Sequence, residues 1–278
     1  MQKVSIFFNP SKEQAKTRAA ELQAALIEQD LQADLCESQK GIYQEELSGV
    51  EADLIVVFGG DGTFLSTSRQ IVSKEIPILG INHGHLGFLA EYGDMDLKEL
   101  ARDLKEENFD IEERTVIKAD LPKYGKSFTA VNDIAINRSH YSNLLYTDLY
   151  IDDNLLHSFR ADGIVVCTPT GSTAYALSSG GAVMDPNIHA FEIVPIAAHS
   201  LTSRPHVISD TQTIVLKSQD SLEFFMQADG QELISLDPGA EIVISKHPKT
   251  LRLVKLKTKD RNFYSILRDK MKWGSVQN

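Results

Sequence analysis

Residues Leu54-Ile-Val-Val-Phe-Gly-Gly-Asp-Gly-Thr63 join an unbroken apolar run to two glycines, a carboxylate, a third glycine and a hydroxyl. Five apolar residues closed by glycine read as a strand buried on both faces, the pattern of a parallel sheet. Beyond them Phe64, Leu65, Ser68, Ile71 and Val72 fall on one side of a helix, with Thr63 placed to cap it. Residues 59–62 are therefore expected to form a strand-to-helix turn, where unpaired N–H groups and the positive end of the helix dipole favour an anion. Asp61 is the anomaly. A carboxylate repels a phosphate unless a metal ion intervenes or the acid handles a substrate proton, and that combination points to phosphoryl transfer. The competing reading is a plain turn with a solvated Asp, since Gly-Asp-Gly is ordinary turn chemistry.

Other nucleotide motifs fit less well. Gly60-Asp-Gly62-Thr-Phe-Leu65 stops short of the dinucleotide fingerprint G-x-G-x-x-G at Leu65. The next strand-like run, residues 76–81, ends at Asn82 where a hydride-transferring enzyme would place an acid for the ribose. The P-loop pattern G-x-x-x-x-G-K-[ST] is absent from the sequence, and Gly171-Ser172 lies outside any G-x-S-x-G, so Ser172 is a poor nucleophile. His83 and His85 form H-x-H without a cysteine pair or H-E-x-x-H to complete a zinc site, so they read as loop imidazoles, as do His199 and His206.

The chain has 278 residues, enough for one large or two ordinary domains with a substantial core. Its net charge of −11 and pI near 5.2 argue against nonspecific binding to nucleic acid or anionic membranes, which leaves a small ligand as the expected partner. Cys36 and Cys167 stand apart, and a polar start together with the lack of a bilayer-length apolar run suggests a cytoplasmic, soluble protein with reduced thiols.

Strands and helices alternate through the first half. Strand-like runs at residues 4–8, 54–58 and 76–81 are separated by helical spacing at Ala15, Ala19, Leu22 and Leu26 and after Thr63; Leu97, Leu100, Ala101 and Leu104 mark a further helix. This implies an α/β domain with a Rossmann-like parallel sheet covered on both faces. From about Glu112 the pattern changes. Residues 115–121 and 126–136 are extended runs joined by Pro122-Lys-Tyr-Gly125, residues 144–151 pair with 155–159 across Asp152-Asp-Asn154, and strand-like runs follow at Ile193, Thr213, Leu222, Glu241 and Leu251. This half reads as an all-β antiparallel sandwich or barrel. The expected divisions are residues 1–112, 113–252 and a C-terminal segment 253–278. A cleft between domains is a favoured place for a ligand.

The second half adds a polar stretch, Arg160-Ala-Asp-Gly-Ile-Val-Val-Cys-Thr-Pro-Thr-Gly-Ser-Thr-Ala-Tyr-Ala-Leu-Ser-Ser-Gly-Gly181. Residues 163–167 form a buried strand, residues 168–172 a hydroxyl-rich turn, and the following residues start a short helix. Thr170, Ser172, Thr173 and Ser178 suit a nucleotide's polar groups, and Tyr175 can stack on a ring. A capped helix with a tyrosine in the core explains the same residues. Asn132-Asp133 and Asp229-Gly-Gln231 read either as ribose and amide contacts or as turn punctuation.

Together these segments resemble the NAD kinases, in particular the bacterial ones. Gly59-Gly-Asp-Gly-Thr63, Asn82-His-Gly-His-Leu-Gly-Phe-Leu89, Asn132-Asp133, Ala161-Asp-Gly163 with Thr168-Pro-Thr-Gly-Ser-Thr-Ala-Tyr175, His199-Ser-Leu-Thr-Ser-Arg-Pro205 and Asp229-Gly-Gln231 match family motifs in order, from about residue 3 to residue 260. The glycine turn is shared with diacylglycerol and sphingosine kinases; the run from Thr168 to Tyr175 combined with the run from Asn82 to Leu89 is more specific. Asp133 departs from the Glu of many members and loses a methylene of reach.

The resemblance implies phosphoryl transfer from ATP, or from inorganic polyphosphate, to the 2′-hydroxyl of the adenosine ribose of NAD. Asp61 carries over as the catalytic acid-base. Gly60, Gly62, Thr63, Asn132, Asp133, Thr170, Thr173, Ala174, Tyr175, Ser178, Ala197 and Gln231 carry over as nucleotide contacts, and Arg160 and Asp162 as groups near the nicotinamide end or supplied to a neighbouring subunit. It also implies a C-terminal segment returning to the first domain and a homodimer or homotetramer. Phosphoryl transfer calls for a divalent ion, Mg²⁺ in the first instance, held mainly by the donor phosphates with no dedicated protein ligands. Two alternatives come from other classes: a lipid kinase with the same turn, for which the acidic chain offers no basic interfacial patch, and a non-catalytic NAD or NADP sensor, against which the presence of Asp61 speaks.

Overall fold

The computed structural model describes residues 1–38, 49–82, 87–139, 144–219, 222–259 and 261–272. Two compact units emerge, Met1–Glu113 with Leu251–Asn278, and Arg114–Thr250.

The first unit is built on strands β1 (Lys3–Phe8), β2 (Gln32–Glu37), β3 (Leu54–Phe58), β4 (Ile78–Ile81) and β5 (Phe109–Arg114), ordered β2-β1-β3-β4, then the strand Leu251–Leu256, then β5. Neighbours from β2 through β4 run parallel. All five residues of β3 are buried, as its uninterrupted apolar run requires at the centre of a sheet covered on both faces. Alternate residues then face different partners. Leu54, Val56, Phe58, Leu79 and Ile81 join one core with helices α1 (Glu13–Glu28) and α3 (Leu97–Lys105), which bury Ala15, Ala19, Leu22, Leu26, Leu97, Leu100, Ala101 and Leu104. Each such Leu or Ile, removed from water, contributes ~1.5–3 kcal/mol. Gly80 points to the opposite face, where an added Cβ would lie 2.8 Å from the Phe64 ring of helix α2 (Asp61–Ile71) and 2.7 Å from Ala90 Cα.

The second unit is a sandwich of two antiparallel sheets. One contains β6 (Ile117–Leu121), β7 (Lys126–Ala130), β9 (Leu145–Ile151), β10 (Asn154–Ala161), β14 (Ile214–Ser218) and β17 (Glu241–Lys246). The other contains β8 (Asp133–Arg138), β11 (Gly163–Cys167), β12 (Ala190–Ile196), β13 (His206–Ser209), β15 (Phe224–Ala228) and β16 (Glu232–Leu236). Strands β6, β9 and β14 alternate buried and half-exposed residues over their first five positions, so one face meets the core and the other water. Strand β11 is buried throughout. Ile164 and Val166 enter the sandwich core, whereas Val165 and Cys167 face a second apolar layer with Ala135, Val194, Met184 and the Ala176 of the short helix α4 (Tyr175–Ser178).

Several sequence expectations need revision. The helix after the glycine turn begins at Asp61, with Gly60 as its extended N-cap, so Thr63 lies in the first turn and does not cap it. Gly60 carbonyl already accepts from the Thr63 and Phe64 amides, at 3.0 and 3.1 Å, which shortens the turn to residues 59 and 60. The run 126–136 is broken at Val131-Asn132 into β7 and β8, which belong to different sheets. Residues 251–256, grouped by pattern with the antiparallel half, form β18, which pairs parallel with β4 through Leu253 and Ile78. Its helix α5 (Phe263–Met271) is opened by a capping box between Asn262 and Ser265 and anchored by buried Ile266 and Leu267.

Candidate functional site

In the first unit the site is centred on Asp61, the first residue of α2 and about one-third exposed. Its Oδ2 accepts from the Phe88 amide at 3.1 Å, and its Oδ1 accepts from the Leu89 and Ala90 amides at 3.3 and 3.0 Å. Three backbone donors on one loop thus fix the carboxylate plane. The loop comes this close because Gly87 has no side chain: a Cβ there would sit 1.8 Å from Asp61 Oδ1. Gly59 is required for a similar reason, since its Cβ would lie 2.7 Å from both Cβ and Oγ1 of Thr63. Gly60, Asp61, Gly62 and Thr63 are therefore one contiguous group at the N-terminus of an eleven-residue helix, where the dipole attracts anions. His83 and His85 lie outside the described residues.

In the second unit three segments far apart in sequence converge at the ends of adjacent strands β8, β11 and β15. The Asp229 carboxylate accepts from the amides of Val131, Asn132 and Asp133 at 3.1, 2.7 and 3.2 Å. Asp229 in turn donates its own amide to the Asp133 carbonyl at 2.9 Å and adopts a left-handed φ of 51°. Thr168 ties the same turn to β11: its amide donates to Asn132 O at 2.9 Å and its hydroxyl to Val131 O at 2.6 Å, while its Oγ1 accepts from the Gly171 amide at 3.0 Å. Gly171 passes so near this turn that a Cβ would lie 2.0 Å from Asn132 O. Thr170 and Thr173 belong to the one-turn helix Thr170–Thr173, with Ala174 at its end, and Tyr175 and Ser178 belong to α4, where both are exposed.

Asp133 is 3% exposed. Burial raises its carboxyl to about 7, the nearby Asp229 charge adds to the shift, and a hydrogen bond from the Tyr175 amide opposes it. On the other side of Cys167, two strands away, Glu192 is fully buried and accepts from the Ala182 amide at 2.8 Å. Burial pushes both Glu192 and the Cys167 thiol above their usual ranges, so this thiol is a packed group and not a nucleophile.

Not every residue expected at the site joins this convergence. Asn132, Asp133, Thr170, Thr173, Ala174 and Tyr175 cluster at the Cys167 end of β11, and Gln231 is exposed in the turn after β15. Arg160, Asp162 and Ala197 sit at the Gly163 end: Asp162 Oδ1 pairs with Arg138 Nε at 2.8 Å, Arg160 stacks 5.0 Å over the Tyr146 ring, and Ala197 takes a left-handed φ of 46°. The two groups are separated by the length of a five-residue strand, roughly 13 Å. Asp229, Thr168, Gly171 and Gly87 were not singled out as individual site residues. In the sequence Asp229 reads equally as a ligand contact or as turn punctuation and Thr168 as one hydroxyl of a polar turn, and the two glycines show their role only through the backbone they touch.

Residues 131–256 match the family model for the ATP-NAD kinase C-terminal domain, and residues 42–109 that for the N-terminal domain. The chain is 36% identical to an NAD kinase of Koribacter versatilis over 99% of both chains, and 36% identical to one from Shewanella halifaxensis over 90% of this chain and 82% of that one. Among solved structures it is similar to yeast NADH kinase complexed with NADH, with a TM-score of 0.86 and 25% identity, covering 100% of this chain and 89% of the yeast chain. It is also similar to an NAD kinase from Archaeoglobus fulgidus in complex with ATP, with a TM-score of 0.78 and 26% identity over 96% and 99% of the two chains. A glycine turn carrying an amide-clamped carboxylate, a hydroxyl-rich turn knotted to an Asn-Asp pair, and these matches along the chain have one common account: the chain belongs to the NAD kinase family of phosphotransferases.

Proposed function

We propose that this protein transfers the terminal phosphoryl group of ATP, or of polyphosphate, to the 2′-hydroxyl of the adenosine ribose of NAD, giving NADP. The observation that carries this reading is the Asp61 carboxylate, held by three amides at the positive end of α2. A fixed acceptor suits a reaction that depends on aiming a hydroxyl more than on covalent chemistry. Asp61 orients the 2′-hydroxyl and takes its proton, while Gly60, Gly62 and Thr63 lie against the phosphates.

Asn132, Asp133, Thr170, Thr173, Ala174, Tyr175 and Ser178 bind one half of the dinucleotide. Arg160, Asp162 and Ala197, at the other end of β11, bind the other half or serve a neighbouring subunit's site, and Gln231 lines the edge. The spacing of the two groups suits an extended ligand with two polar heads. Asp133, with its carboxyl raised to about 7, keeps a proton on part of the population near neutral pH and can donate it to a ribose oxygen.

Among the described residues no group of three His, Cys, Asp or Glu side chains is placed to hold a metal. A single nearby carboxylate fits a Mg²⁺ ion that takes most of its ligands from phosphates and water. Such an ion would neutralise charge on the donor phosphates. No helix among the described residues is long and apolar enough to cross a membrane. A cytoplasmic homodimer or homotetramer completes the proposal. Its test is a coupled assay of NADP formation from NAD, run with ATP and with polyphosphate; absence of NADP with both donors would refute it.

A further inference from the structure

Helix α5 carries a lysine to the Asp61 site. Lys270 follows the buried anchors Ile266 and Leu267 by four and three residues, which places it on the same helical face one turn further on. Its Nζ lies 4.6 Å from the centroid of the Phe88 ring and 4.0 Å from Asp61 Oδ2. Phe88 is the residue whose amide donates to that same oxygen, and its ring is 6.3 Å from the Phe263 ring at the start of α5. One loop residue therefore positions both the carboxylate and the ammonium.

At 4.0 Å the ammonium does not hydrogen-bond Asp61, and both side chains are one-third exposed, so the pair contributes little to stability. The arrangement makes sense as a solution to a charge problem. A phosphoryl donor brought to Asp61 meets a carboxylate, and a neighbouring cation offsets that repulsion. Lysine serves phosphates well as a point charge, and the aromatic ring beneath the ammonium fixes where that charge sits.

We propose that Lys270 is a further catalytic residue, whose ammonium contacts the non-bridging oxygens of the phosphoryl group in transfer. The inference rests on the reading of Asp61 as the group facing the acceptor hydroxyl. As the 2′-oxygen forms its bond to the terminal phosphorus, the bond to the bridging oxygen breaks and the leaving phosphate keeps its electron pair. The hydroxyl proton passes to Asp61. Lys270 stays protonated and balances the charge on the oxygens of the moving group.

The experiment compares wild type, Lys270→Met, Lys270→Arg and Asp61→Asn by steady-state NADP formation, calorimetric NAD binding and thermal unfolding. Methionine keeps an unbranched side chain of similar length without the charge. The expected result for Lys270→Met is a loss of about 10²–10³-fold in kcat/KM for ATP, with NAD affinity and unfolding temperature unchanged. Lys270→Arg should recover part of that loss. Wild-type kinetics in Lys270→Met alongside an inactive Asp61→Asn would overturn the lysine's role and leave the Asp61 reading standing. A fall in unfolding temperature that accounts for the loss would also overturn it, because the lysine would then act on the fold. Wild-type turnover by Asp61→Asn would instead remove the reading on which the inference rests.

Discussion

Replacing Gly87 with alanine tests whether the Asp61 carboxylate works by its position. The added Cβ would stand 1.8 Å from Oδ1, 2.5 Å from Cγ and 2.8 Å from Oδ2. A carbon and an oxygen in van der Waals contact need roughly 3.4 Å, so one partner must retreat by more than about 1 Å. Retreat by either stretches the bonds of 3.1, 3.3 and 3.0 Å from Phe88, Leu89 and Ala90. Each bond to a charged acceptor contributes ~1.5–3 kcal/mol, and a displacement of about 1 Å at a reacting group costs about 10²-fold in rate. Gly87 has no left-handed backbone to lose, so the effect isolates the clash. Gly87→Ala should therefore keep NAD binding by calorimetry while its kcat for NADP formation falls about 10²-fold. A variant with wild-type kcat would show that the carboxylate's position is irrelevant to turnover.

Two further substitutions probe the second unit. Asp133, raised from 3.8 to about 7, keeps in the folded state a proton that the unfolded chain has lost, so the stability linked to it is complete below pH 4 and disappears as pH rises to about 7. Denaturant unfolding should show wild type losing up to about 1.4 kcal/mol per pH unit across that window relative to Asp133→Asn; parallel pH profiles for the two would contradict the assignment. Gly171→Ala drives a Cβ to 2.0 Å from Asn132 O, a backbone atom that a rotamer change cannot clear. Overpacking of this kind costs about 1–3 kcal/mol and should appear as a drop in unfolding temperature with weakened NAD binding, whereas an unchanged Tm would refute the close approach.

Much of the sheet architecture is visible in the sequence where a local pattern carries it. The buried run of β3 and the helical spacing of Leu97, Leu100, Ala101 and Leu104 have few alternative placements. Strand β2 leaves no mark in the sequence because it is an edge strand with no fully buried residue, so no alternation of apolar residues signals it. The break at Val131-Asn132 is set by Asp229, nearly a hundred residues away, whose carboxylate collects three amides there. Asp61 was legible because its glycines adjoin it in sequence. Gly87 and Lys270 were not, since their relation to Asp61 exists only once the loop and α5 fold back upon it.

The position of β18 inside the first sheet has a consequence for biosynthesis. As the chain leaves the ribosome, residues 1–113 emerge with a gap between β4 and β5 that only residues 251–256 can close. The sandwich, contiguous from Arg114 to Thr250, can complete its own pairing while the earlier segment waits. The sheet that holds the first residues of the chain is thus the one whose pairing depends on nearly the last of them.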